Sequence, residues 1–174
     1  MTPTRLLNQG IKPALAELQT TFGIADSLEA RRFLIAIALQ ESNIAHRRQV
    51  TSSGKEDGPA ASYWQFEKGG GCRGVLTHAA VAKTMKLVLS ANDIGESPQE
   101  LWEAMRFNDV VAATAARLLI YTLPNKLPTT MQDGWNQYLK AWRPGKPHPD
   151  KWASCWTTAD AIARSDFIVL GVNQ

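Results

Sequence analysis

Phe33-Leu-Ile-Ala-Ile-Ala-Leu-Gln-Glu-Ser42 is the stretch on which the reading of this chain turns. Seven consecutive apolar residues, Phe33 to Leu39, leave no polar face, so the segment has to be enclosed on every side. Asp26 followed three residues later by Glu29 has the spacing of a capping box, which predicts a helix from there to about Ser42. A helix apolar nearly all round belongs in the centre of a core, and Glu41 stands at its carboxyl end. The run is far short of the roughly 20 residues of a membrane span. The other apolar stretch, Val110 to Tyr121, is broken by Thr114 and Arg117, so no integral membrane segment is expected.

Helical periodicity continues on both sides of that segment. Leu7, Ile11, Leu15, Leu18 and Phe22 recur at spacings of three and four, predicting an amphipathic first helix that Gly23 ends in a left-handed cap, with Pro13 near its start. Thr77 is read as the cap of a helix presenting Val81, Met85, Val88 and Leu89. Ser97-Pro98-Gln99-Glu100 joins a capping box to a proline at the first helical position. Val111, Ala115, Leu118 and Leu119 mark a helix stopped by Pro124. A Trp/Tyr-rich segment at 135–142, a proline-rich turn at 144–149 and a last helix with Ile162 and Phe167 complete the chain. Residues 44–73 are polar and glycine-rich around Ser62-Tyr-Trp-Gln-Phe-Glu67, predicting loops with a small hairpin. The expected fold class is mainly α, a helical domain with a small loop and hairpin region beside it.

The 174 residues are 44% hydrophobic and 20% charged with a net charge of +3, an ordinary globular composition. Residues 1–174 are read as one domain, long enough to bury roughly 70% of the extended-chain surface. Cys72 and Cys155 are too few for a disulfide framework or a zinc site and are expected to be reduced. The amino terminus lacks the apolar centre of a secretory signal, so cytoplasmic synthesis is expected. Trp102, Trp152 and Trp156 are assigned to the core, and Phe66 is expected to pack inward with Trp64.

A carboxyl group beside so apolar a run has its charged form disfavoured, which raises its pKa unless a cation compensates. Glu41 is therefore a candidate general acid, since glycosidic oxygen must receive a proton as its bond breaks. The competing reading makes it a helix-end partner of Arg47 or Arg48. Glycosidases commonly use a second carboxylate, for which Glu56, Asp57 and Glu67 are the nearby options. Tyr63, Trp64, Gln65, Asn136 and Tyr138 supply the aromatic faces and amides that bind sugars.

Ala38-Leu-Gln-Glu41-Ser42, followed by Gly58-Pro-Ala-Ala-Ser-Tyr-Trp-Gln65-Phe, resembles the lysozyme-like superfamily, especially soluble lytic transglycosylases and goose-type or phage lysozymes. In that family a Glu-Ser pair ends a buried helix and a Gly-Ala-x-Gly-Leu-Met-Gln segment follows across the cleft. The resemblance implies an α+β lysozyme-like fold, Glu41 as catalytic acid, and Gln65, Ser62 and Tyr63 on the substrate. Ser62 stands where the family has glycine. Trp135-Asn136-Gln137-Tyr138 is similar to the family's Tyr-Asn-x-Gly segment, giving Asn136 and either Trp135 or Tyr138 a binding role. The implied activity is cleavage of the β-1,4 bond between N-acetylmuramic acid and N-acetylglucosamine in peptidoglycan, with one glutamate acting as acid and then base. It further implies a phage setting, with holin-type release to the wall or packaging in the virion among virion partners. Two alternatives stand beside it: chitin hydrolysis, and a non-catalytic module that keeps the fold for wall binding or virion structure.

Residues 31–86 hold nine Lys/Arg and four Asp/Glu, so the positive charge is expected around the cleft. Such a field attracts anionic wall polymer. It would attract nucleic acid too, but no recognition motif supports that partner. Gly69-Gly-Gly71 lacks the Lys-Ser/Thr of a phosphate loop. His46, His78 and His148 are scattered, and neither metal nor cofactor is expected.

Overall fold

The computed structural model describes residues 1–171, with side chains through Ile168. The chain is mainly helical, 64% helix and 3% strand. In order come α1 (Pro3–Leu6), a π-helical turn (Leu7–Ile11), α2 (Lys12–Phe22), α3 (Leu28–Ser42), β1 (Ala60–Ala61), β2 (Phe66–Glu67) and a second π-helical turn (Lys68–Cys72). There follow α4 (Arg73–Thr77), α5 (Ala82–Ala91), α6 (Pro98–Ala104), α7 (Asp109–Tyr121), α8 (Met131–Trp142) and α9 (Pro149–Gly171). No helix among the described residues is long and apolar enough to cross a membrane.

Helix α3 is the axis of the molecule. Every residue from Ala30 to Gln40 is buried, against α9 along its length and against α1, the first π turn and α7 elsewhere. One apolar cluster joins these elements and takes in Trp64, Trp102, Trp152 and Trp156. Each large side chain enclosed there contributes roughly 1.5–3 kcal/mol. Arg31 and Arg32 lie within this buried stretch, and burying a guanidinium requires partners. Arg31 is paired with Asp26 and Asp166, while Arg32 donates to Asp160 at 2.8 Å and to the Pro128 carbonyl at 2.9 Å. Two of these carboxylates sit on α9, so the ion pairs fasten that helix to the core.

This pairing corrects the expected cap of α3. Asp26 is committed to Arg31, and the N-cap is Ser27, whose hydroxyl accepts from the Ala30 N–H at 3.2 Å. Gly23 ends α2 in the left-handed region at φ 69°, and Ser97 with Glu100 forms a capping box on α6, both as expected. Pro13 offers no N–H to the Gln9 carbonyl one turn back, and the first helix widens into a π turn just before it. Thr77 does not start a helix: it ends α4, its hydroxyl donating back to the Arg73 carbonyl at 2.8 Å. As the last residue of α4, Thr77 lies five positions before Ala82, where α5 begins with no side-chain cap.

The hairpin is minimal. Strands β1 and β2 run antiparallel with Ala60 opposite Glu67 and Ala61 opposite Phe66, and Arg48 adds a single bridge to Ala61. The four residues between them, Ser62 to Gln65, lie folded against the end of α3.

Candidate active site

A cleft of about 1070 Å³ opens where α3 ends, lined by Gln40, Glu41 and Ser42, the hairpin, the glycine turn, the end of α8 and the loop after it. Helix α3 stops because Asn43 and Ile44 both adopt left-handed backbone, at φ 52° and 56°. That conformation is strained for a β-branched residue. It is held by burial of the Ile44 side chain and by the bond from its N–H to the Ser42 hydroxyl at 3.2 Å. The Ser42 hydroxyl in turn donates to the Tyr63 carbonyl at 2.8 Å, which fixes the hairpin turn to the residue after Glu41.

Glu41 pairs with neither Arg47 nor Arg48. Arg47 goes to Asp109, with Nε at 3.0 Å from Oδ1, and Arg48 donates to the Asp57 and Gly58 carbonyls. Glu41 instead accepts a 2.7 Å hydrogen bond from the Tyr138 hydroxyl. Burial pushes its carboxyl up from 4.5 to about 7, against the downward pull of the Tyr138 bond and the Lys151 charge. The same burial, with the adjacent carboxylate, raises the Tyr138 phenol, so Tyr138 serves as a donor. A carboxyl group titrating near 7 can both deliver and recover a proton at neutral pH.

Tyr138 is set by aromatic packing. It stacks on Trp152 at 5.5 Å between centroids and lies 6.4 Å from Trp142, with Trp135 tilted against it at 5.3 Å. Trp142 packs edge-on to Phe66 and donates to the Trp64 carbonyl at 2.8 Å, while the Trp64 indole donates to the Leu34 carbonyl at 2.9 Å. Helix α8, the hairpin and α3 are thereby joined at the cleft.

Of the residues expected on the substrate, Gln65 and Tyr138 line the cleft beside Glu41. Gln65 sits at φ 51° and donates through Nε2 to the Ser62 carbonyl at 2.8 Å, leaving its carbonyl oxygen free of that bond. Ser62 and Tyr63 do not reach the cleft. Ser62 is fully buried at φ 65°, accepting from the Trp64 N–H, and so tolerates the backbone geometry that favours glycine. Tyr63 is 3% exposed, with the Arg47 guanidinium 4.9 Å over its ring. Asn136 is exposed and accepts from Gln132, since residues two apart on a helix point away from each other and Tyr138 takes the inner face.

Among the three further carboxylates only Glu67 lines the cleft, exposed at the end of β2. Glu56 pairs with the exposed His46 at 2.8 Å, and Asp57 accepts from Thr51 at 3.0 Å. No group of three or more His, Cys, Asp or Glu able to hold a metal occurs among the described residues. Cys72 and Cys155 are buried and unpaired.

The charge around the cleft differs from the sequence expectation. Arg31, Arg32 and Arg47 are matched by acids from outside the 31–86 window. The cations that line the cleft are Arg48 together with Lys140, Arg143, Lys146 and Lys151, a cluster whose density in the sequence was the available signal. Comparison of the chain with protein-family models, with curated proteins and with solved structures finds no match.

Proposed function

We propose that this chain cleaves the β-1,4 glycosidic bond between N-acetylmuramic acid and N-acetylglucosamine in peptidoglycan, in the manner of a lysozyme-like muramidase or lytic transglycosylase. The observation that carries the reading is a carboxyl held at about 7 by burial, at the end of the central helix, facing a cleft of about 1070 Å³. That volume lies at or beyond the upper end of ordinary small-molecule pockets, roughly 300–1,000 Å³, and suits a stretch of polymer.

Glu41 would protonate the departing glycosidic oxygen while Tyr138 holds its other proton-bearing option closed and keeps the carboxyl oriented. Once ionised, the same group accepts a proton from the attacking hydroxyl. With the muramic acid 6-hydroxyl as nucleophile no second carboxylate is needed and an anhydro sugar forms. With water as nucleophile a reducing end forms, and Glu67, which lines the cleft, is the carboxylate we assign to that role. In a phage setting, passage through holin lesions or carriage in the virion would bring the protein to the wall.

The test is to incubate purified peptidoglycan with the parent and with Glu41→Gln and to identify the released muropeptides by mass spectrometry. Loss of the general acid should lower turnover by at least about two orders of magnitude with the fold intact. Equal products from both proteins would remove Glu41 from the chemistry. No products from either folded protein would leave a wall-binding or virion structural module.

A further inference from the structure

Four exposed cations, Lys140, Arg143, Lys146 and Lys151, line the cleft from a single segment running from the end of α8 into the start of α9. None of them has a carboxylate partner among the described residues, whereas Arg31, Arg32 and Arg47 each do. Among the described residues, the carboxylates on the cleft lining are Glu41 and Glu67. Asp150, next to Lys151 in sequence, lies outside that lining.

The segment is built to hold its charges in place. Arg143 turns the chain at φ 49°, and Pro144, Pro147 and Pro149 restrict the backbone that follows. At its front, Trp142 is bonded to the Trp64 carbonyl; at its back, Gln40 donates to the His148 carbonyl at 3.0 Å. Gln40 precedes Glu41 on α3 and is 4% exposed, so the loop is anchored to the helix that carries the acid. Lys151 is near enough to Glu41 to pull on its proton.

The hydroxyl and amide oxygens of a neutral sugar chain could accept hydrogen bonds from these cations but would leave their charge unpaired. The cations suit a chain that carries anions beside the bond to be cut. We infer that the Lys140–Lys151 lip reads ionised carboxylates on the substituents of the glycan strand, so that the cleft selects acidic, peptide-bearing strands whose stem carboxylates are free over strands in which they are amidated. This rests on the glycan-cleaving reading above and adds to it a charge requirement on the substrate.

Sacculi stripped of phosphate polymers with hydrofluoric acid are divided, and one half is treated with carbodiimide and ammonia to turn carboxylates into amides. Binding of Glu41→Gln is measured by pelleting, and cleavage by the parent is followed on both halves and on a neutral chitooligosaccharide. Amidation should weaken pelleting by roughly tenfold, as expected for losing two or more exposed ion pairs. It should lower the parent's kcat/KM similarly, and raised salt should shrink the difference. Lys140→Gln with Lys146→Gln should bind both halves alike. Equal pelleting on free and amidated walls overturns the inference, as does a preference for free-carboxylate walls that appears only in a parallel pair of samples not treated with hydrofluoric acid. Retention of single-stranded DNA as tight as that of free-carboxylate walls would also overturn it, in favour of a general polyanion site. If the parent cuts neither half, the glycan-cleaving reading fails, while the pelleting comparison still decides the charge requirement.

Discussion

At Glu41, burial favours the proton while Tyr138 and Lys151 favour its loss. On the proposed mechanism Glu41 must be protonated to act as the acid, so cleavage should be present at low pH and be lost as pH rises through about 7. Tyr138→Phe removes a hydrogen bond donated to the charged form, which raises the Glu41 pKa further. The alkaline fall in kcat/KM should therefore move to higher pH in Tyr138→Phe, alongside any loss of rate from poorer orientation. A pH–rate profile of both proteins checks this, and an unmoved limb would mean that the titrating group is not Glu41. The burial behind this was legible in Phe33 to Leu39, because a run without a polar face has only one place to go. The identity of the donor was not. Trp135 and Tyr138 lie three apart on one helix, and only the partner helix decides which of them reaches the carboxyl.

Helix α8 meets α9 at Gly134, and the closeness of that contact sets where Tyr138 stands. A Cβ at position 134 would fall inside the contact distance of the Trp156 ring and come to 3.1 Å from Trp152. Helix propensity favours alanine over glycine by about 1 kcal/mol, but overpacking costs about 1–3 kcal/mol, and here the obstacle is two indoles already packed on Phe33. Gly134→Ala should therefore lower the urea midpoint and reduce turnover together; a raised midpoint would show that the helices separate freely. Elements whose ends depend on one residue's own chemistry were readable, such as Gly23 at its left-handed cap and Ser97 with Glu100. Asp26 and Thr77 were not: Asp26 was drawn to Arg31, and Thr77 was already the last residue of another helix, α4. Ser62, Tyr63 and Asn136 were misplaced for a related reason. Sequence spacing brings a segment to a cleft without saying which of its atoms face in.

Across the whole molecule, keeping Glu41 half-buried at the end of α3 ties folding to pH. Its folded pKa of about 7 lies above the ordinary 4.5, so between these values the unfolded chain has released a proton that the folded chain retains. The resulting stability is complete below about 4.5 and is lost as pH rises through about 7, amounting to at most about 3 kcal/mol. Typical domains have only about 5–15 kcal/mol in total. Denaturant unfolding at pH 5 and pH 8 should show the parent losing stability over that interval by more than Glu41→Gln does. An equal loss in both would place the linkage elsewhere. The pairing of charges was the least legible property at this scale, since Arg31 finds Asp166 and Arg32 finds Asp160 only once α9 has folded back on α3. The aromatic column of Trp135, Tyr138, Trp142 and Trp152 has one more consequence. Rings packed this closely around the phenol that touches Glu41 should couple optically, so a change of charge on that carboxyl should register in near-ultraviolet circular dichroism and intrinsic fluorescence. The site carries its own reporter dye.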